Sequence, residues 1–270
     1  MTQISPKAPF LSQKGLFFIA GPCVIESRDL CFAIAENIAE ISSQLKIDII
    51  FKASYYKANR TSASGFRGPG KQEGLKILES IRETFKLPVL TDVHESVDVS
   101  EAAQAVDILQ IPAFLCRQTG LLEAAKASGK WVNVKKGQFM SPGDMKFSLE
   151  KAGKNCWLTE RGTFFGYNKL VVDFTSIPIM KQFGCDVVFD ATHSVQNPGG
   201  GQGCSSGNRE MIIPLARAAI AAGADALFFE VHPSPDKALC DGPNSLRLQD
   251  FKEQVPRLLE LAGLIQNAAN

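Results

Sequence analysis

The chain has 270 residues, with 29 Lys+Arg against 28 Asp+Glu, a formal net charge of +1 and 45% hydrophobic residues. Near-neutrality excludes the basic excess of a generic nucleic-acid binder, and no apolar run reaches the roughly 18 residues that would cross a bilayer. Seven dispersed cysteines without a CxxC pair exclude a small stapled secreted domain and suit a reducing, cytoplasmic setting.

Residues 1–14 lack the apolar core of a signal peptide and are expected to form a short hairpin plugging the bottom of the fold. From Leu16 onward one unit repeats: a short β-branched apolar run, then a longer amphipathic stretch. Strands are expected at Leu16–Ala20, Asp48–Lys52, Pro88–Thr91, Asp107–Ile111, Trp131–Val134, Cys156–Thr159, Asp186–Phe189 and Ala224–Glu230. Helices are expected over about 28–45, 71–86, 97–105, 118–128, 143–153, 169–183, 208–222 and 247–266. Ser27, Ser141-Pro142 and Asn208 stand where helix starts need caps, and Gly129, Gly153, Gly184 and Gly223 where helices stop. Strict alternation requires a parallel sheet with crossover helices. Eight units over about 250 residues match a closed (β/α)8 TIM barrel, an α/β fold, occupying residues 1–270 as one domain. An open doubly wound sheet is the competitor, but Gly21-Pro22-Cys23 is not its glycine fingerprint. The glycine-dense stretch Asn197–Gly207 reads as a mobile loop.

In such a barrel the chemistry sits at the C-terminal strand ends. Those ends carry Cys23, Lys52, Asp92 with His94, Gln110, Lys135 with Lys136, Glu160 with Arg161, Asp190 with His193, and Glu230 with His232. Any one of them could be an ordinary polar loop residue, but together they form a concentration, and all three histidines fall there. Lys52, Lys57, Arg60, Arg67 and Lys71 follow one another with no acid before Glu73, interleaved with Asn59, Thr61, Ser62 and Ser64. Forked guanidinium groups, mobile ammonium groups and hydroxyl donors suit a phosphate better than a bare solvated loop. Barrel closure makes the last strand a neighbour of the first and seventh, so Cys23, His193 and Glu230 should converge, with Asp241 folding back over the mouth. That donor set suits Zn²⁺, Fe²⁺ or Mn²⁺. Cys23 alone would read as a small buried residue.

The stretches AGPCVIES, FKASYYKANRTS, FRGPG, TDVHE, LQIPAFLCRQTGLL, VNVKKGQF, ERGTFFGYN, VFDATHSVQ and EVHPSPDKALCDGPNSL, in that order, resemble the 3-deoxy-D-manno-octulosonate-8-phosphate synthases. KANRT separates them from the 3-deoxy-D-arabino-heptulosonate-7-phosphate synthases, the alternative, which typically carry Lys-Pro-Arg there. The resemblance implies a cytoplasmic, homotetrameric transferase that joins phosphoenolpyruvate to D-arabinose 5-phosphate for lipopolysaccharide biosynthesis. It implies Lys135 and Arg161 at the phosphate of phosphoenolpyruvate, and Lys52 and Lys57 at its carboxylate. It puts Asn59, Arg60 and Thr61 at the pentose phosphate, Asp92 and Gln110 beside the reacting sugar, and Arg117 in the neighbouring subunit's site. Lys52, Lys57, Asp92, His193 and Asp241 are then the catalytic candidates. The family has a metal-using branch with Cys at position 23 and a metal-free branch with Asn. Cys23, with His193, Glu230 and Asp241, implies a divalent metal and no organic cofactor, whereas Cys240-Asp241-Gly242-Pro243 is more typical of the metal-free branch. A Schiff-base aldolase using Lys52 or Lys135, and a non-catalytic sugar-phosphate sensor, are the other readings.

Overall fold

The computed structural model describes residues 6–13, 15–59, 65–164, 169–198 and 206–268. Eight parallel strands follow one another around a ring: β1 (Phe17–Gly21), β2 (Ile49–Lys52), β3 (Val89–Asp92), β4 (Ile108–Ile111), β5 (Trp131–Lys135), β6 (Cys156–Glu160), β7 (Val187–Asp190) and β8 (Ala226–His232). β8 pairs back onto β1, with Gly21 opposite Glu230, so the sheet closes. Helices α1 (Arg28–Leu45), α2 (Lys71–Phe85), α3 (Val99–Ala105), α4 (Thr119–Ala127), α5 (Met145–Ala152), α6 (Ser176–Lys181), α7 (Ile212–Ala221) and α8 (Leu248–Ala268) alternate with the strands. This is the expected (β/α)8 TIM barrel.

The strands are apolar on both faces because both faces are covered. Alternate residues serve two cores. Phe18, Ala20, Ile49 and Phe51 face the helices, while Phe17, Ile19, Ile50, Leu90, Trp157 and Phe228 fill the barrel interior. Phe10 closes the bottom, edge-on to Trp131 at 6.1 Å and to Trp157 at 5.9 Å between centroids. The N-terminal segment therefore plugs the barrel as expected, but residues 6–13 contain no strand, so the hairpin is not formed by them.

Ser27 caps α1 and accepts a hydrogen bond from the Leu30 amide at 3.2 Å. Ser27→Ala should cost about 1 kcal/mol, read as a shift in a chemical denaturation midpoint. Asn208 makes no such side-chain bond; a 3₁₀ turn over Arg209–Met211 precedes α7 instead. The expected helix over 169–183 is the largest error. Leu170–Val171 pairs antiparallel with Thr163–Phe164, and only Ser176–Lys181 is α-helical. Asp173 explains the late start, because its carboxylate accepts from the Thr175 amide at 2.9 Å and from its hydroxyl at 2.6 Å, a local turn that competes with helix. β8 runs on to His232 because Leu246–Arg247 pairs with Val231 and His232. At the loop expected over Asn197–Gly207, Gln196–Asn197 pairs antiparallel with Ser206–Gly207, and residues 199–205 lie outside the described residues.

Candidate active site

The strand ends open onto a cavity of about 430 Å³. Lys52, Lys57, Asn59, Asp92, Gln110, Lys135, Arg161, His193, Glu230 and Asp241 all line it. Arg60 and Thr61 lie outside the described residues. Arg117 is exposed and does not line this cavity. Cys23 sits just behind the wall, 5% exposed.

The seam between β1 and β2 is tight. A Cβ on Gly21 would stand 1.9 Å from the Lys52 carbonyl oxygen, which is why glycine is needed there. That approach lets the Lys52 ammonium donate to the Cys23 carbonyl at 2.8 Å and to Glu230 Oε1 at 2.9 Å. Lys135, on β5, donates to Asp190 and stands 3.9 Å above the centroid of Phe228, a cation–π contact in the site floor. The sequence suggests an unopposed cluster of cations, but the structure pairs the buried lysines with acids. Several like charges cannot be buried side by side without compensation.

Arg161 is the exception. Its Nη2 donates to Gln196 Oε1 at 2.7 Å, whereas its buried Nη1 has no hydrogen-bond partner among the described residues. Burial lowers its pKa from the usual value, against the pull of Asp190 and Glu160. An arginine nonetheless stays charged, so a buried donor points at a missing acceptor.

Burial works against the charge on the carboxylates, but neighbouring cations outweigh it. Asp92 is held well below the usual range by Lys57, His94 and Lys52. Asp190 is likewise held down by His193 and Lys135, and Glu230 falls to about 2 beside His193, Lys52 and Lys57. Burial also opposes the Lys57 ammonium, yet Cys23, Asp92, Cys240 and Glu230 raise its pKa well above normal. For Lys135 burial wins, and its pKa is lowered despite Asp190. Asp92 is oriented by Ser54 and by His94, whose Nε2 lies 3.1 Å from Oδ2. Gln110 accepts from Asn133 at 3.0 Å, so its amide N–H₂ is the end left for a ligand.

The metal candidates meet at the β8–β1 seam. His193 Nδ1 lies 2.7 Å from Asp190 Oδ2, which turns Nε2 toward Glu230 Oε1 at 3.4 Å. A carboxylate behind an imidazole is the usual way to aim a metal-binding nitrogen. Asp241 adopts a left-handed conformation, φ 49°, and its Oδ2 lies 3.1 Å from Cys23 Sγ and 3.4 Å from Cys240 Sγ. The expected four donors, joined by Cys240, are thus arranged as two triads sharing Asp241: His193, Glu230 and Asp241, and Cys23, Cys240 and Asp241. Within each triad the donor atoms lie within 4.8 Å of one another. Glu230 Oε2 is buried without a hydrogen-bond partner among the described residues, and the mixed N, O and S set fits a borderline divalent ion.

Asp190, Phe228, Gln196 and Cys240 escaped the sequence-level site. Asp190 was visible as a strand end, and Phe228 as the inward residue two before Glu230 on an alternating strand. Gln196 and Cys240 fall within the quoted stretches, but nothing in the local pattern gives either a role.

The description "DAHP synthetase I family" belongs to a family model that matches residues 3–267. The 2-dehydro-3-deoxyphosphooctonate aldolase of Desulfotalea psychrophila is 54% identical over 259 residues, covering 94% of this chain and 92% of that protein. Its namesakes from Synechococcus sp. and Syntrophotalea carbinolica are 55% and 51% identical over 250 and 252 residues, covering 91% and 92% of this chain and 88% and 91% of theirs. A match along nearly the whole chain, with relatives more than half identical, means that this chain belongs to the DAHP synthetase I family, alongside its 2-dehydro-3-deoxyphosphooctonate aldolases.

Proposed function

We propose that the protein condenses phosphoenolpyruvate with D-arabinose 5-phosphate and water, yielding 3-deoxy-D-manno-octulosonate 8-phosphate and inorganic phosphate. The observation that carries this reading is the convergence of Lys52, Lys57, Lys135 and Arg161 on one cavity, with a buried nitrogen of Arg161 unpaired among the described residues. Two polyanions repel each other, and fixed cations are what lets them approach.

Lys135 and Arg161 hold the phosphate of phosphoenolpyruvate, and Lys52 and Lys57 its carboxylate. Asn59, Arg60 and Thr61 bind the pentose phosphate, while Asp92 and Gln110 position the aldehyde end. Carbon 3 of the enol phosphate attacks the sugar aldehyde, and water adds at carbon 2. The resulting tetrahedral centre expels phosphate by carbon–oxygen cleavage. Pairing with acids keeps the lysines in place before substrate arrives, so little reorganisation remains at the moment of reaction.

Cys23, His193, Glu230 and Asp241 would hold a divalent metal, Zn²⁺, Fe²⁺, Mn²⁺ or similar, and no organic cofactor is needed. Such an ion supplies Lewis-acid polarisation of an oxygen. A homotetramer is part of the proposal. Phe114 and Phe139 are 52% and 56% exposed, and Phe114 stands at the cavity rim near exposed Arg117, a surface suited to another subunit. Cys23, Cys31, Cys116, Cys156 and Cys185 are in no disulfide among the described residues, which supports work in the cytoplasm. No described helix is long and apolar enough to cross a membrane.

Incubation with phosphoenolpyruvate and either arabinose 5-phosphate or erythrose 4-phosphate tests the substrate. Phosphate release should be faster with the five-carbon sugar; preference for erythrose 4-phosphate would assign the heptulosonate reaction instead. A Schiff-base aldolase is favoured only by the lowered pKa of Lys135. Borohydride should trap no substrate adduct on Lys135 or on Lys52, whose ammonium is already engaged by Glu230 and the Cys23 carbonyl.

A further inference from the structure

Cys23 and Cys240 are 217 positions apart in sequence, yet their sulfurs lie 2.7 Å apart. Both are buried, at 5% and 2% exposure, beneath Val24 and Phe66. Their loops are tied independently of the sulfurs, because the Leu239 amide donates to Glu26 Oε1 at 2.9 Å. A disulfide needs a sulfur separation of about 2.05 Å, so the two atoms have only about 0.7 Å left to travel. Cys240 faces the cavity, whereas Cys23 stands behind it.

We infer that Cys23 and Cys240 form a reversible dithiol–disulfide pair, and that the disulfide and a cation at this seam exclude each other. A hydroperoxide is the oxidant. The Cys240 sulfur attacks one peroxide oxygen, the O–O bond breaks, and water leaves with hydrogen peroxide as the reagent. The Cys23 sulfur then attacks the sulfenic sulfur of Cys240, and the S–O bond breaks. The departing hydroxide takes the Cys23 thiol proton and leaves as a second water. Two thiols lose two electrons and two protons to one peroxide. In the disulfide, Cys23 has no thiolate to offer a metal, so one bond removes a donor from the triad it shares with Asp241. The pairing rests on the two thiols alone; the exclusion of a cation rests on the metal reading given above.

The test uses the whole protein, reduced, stripped by chelator and desalted, then treated with a small excess of hydrogen peroxide. Free thiols should fall from seven to five, and peptide mapping should find Cys23 joined to Cys240. Dithiothreitol should restore seven. Reduced protein should take up Mn²⁺ or Zn²⁺, oxidised protein should bind roughly 100-fold more weakly, and preloading with either ion should slow thiol loss. Cys240→Ser should abolish the linked peptide and the peroxide-driven loss of two thiols. Seven persistent thiols, a different pair such as Cys156 with Cys185, or sulfonic acid instead of a link would overturn the pairing. Unchanged metal uptake by the linked protein would overturn the exclusion. Absence of metal uptake by reduced protein would refute the metal reading, and with it the exclusion, while the peptide map still decides the pairing.

Discussion

Arg161→Met should lower kcat/KM for phosphoenolpyruvate by roughly 10³-fold, the scale seen when one fixed donor to a developing anion is removed. The size follows from the position. Arg161 is 4% exposed, and its Nη1 is buried with no hydrogen-bond partner among the described residues. At a buried position, water is a poor replacement for that donor. Arg161→Lys should recover only part of the loss, because a point charge cannot keep the bond to Gln196 and also reach the ligand. Steady-state kinetics with varied phosphoenolpyruvate reads the effect, and far-UV circular dichroism reports whether the fold survives. A change under tenfold would mean that the phosphate sits elsewhere and would remove the main support for the proposed reaction.

Cys23→Asn should weaken divalent-metal binding by about 100-fold or more, since a ligand is at least as important as the groups that orient it. The fold should persist, because the side chain packs at a barrel rim and not in either large apolar core. Exhaustive chelation of the unaltered protein should abolish activity, and Mn²⁺ or a similar ion should restore it. Competition against a chromogenic chelator measures affinity without reference to turnover. The Cys-Asp-Gly-Pro stretch makes this a sharp test, because it brings a second thiol to the place where the metal-using pattern needs only one. Full activity in demonstrably metal-free protein would end the requirement.

The barrel is legible from local pattern because each strand and helix is specified by its own periodicity. α1 falls on the expected residues, and every barrel strand lies within two residues of its expected ends. α6 fails for a local reason too: the Asp173 turn competes with helix, and an amphipathic count does not register it. The site's membership was also readable, since residues at C-terminal strand ends must face one mouth once the ring closes. Of the expected site residues described, all but Cys23 and Arg117 line the cavity, and Cys23 lies directly behind its wall.

Which of those residues touch was not readable. Lys52 meets Glu230 from 178 positions away, and Lys135 meets Asp190 from 55. These pairings convert a suspected surplus of positive charge into a nearly balanced site, with Arg161 Nη1 unmatched among the described residues. Cys240 had no standing as a functional residue until the loop after β8 folded back onto Cys23. Periodicity belongs to a short segment and survives in the linear chain. Contact across the β8–β1 seam depends on the register of eight strands around a closed ring, which no segment encodes alone.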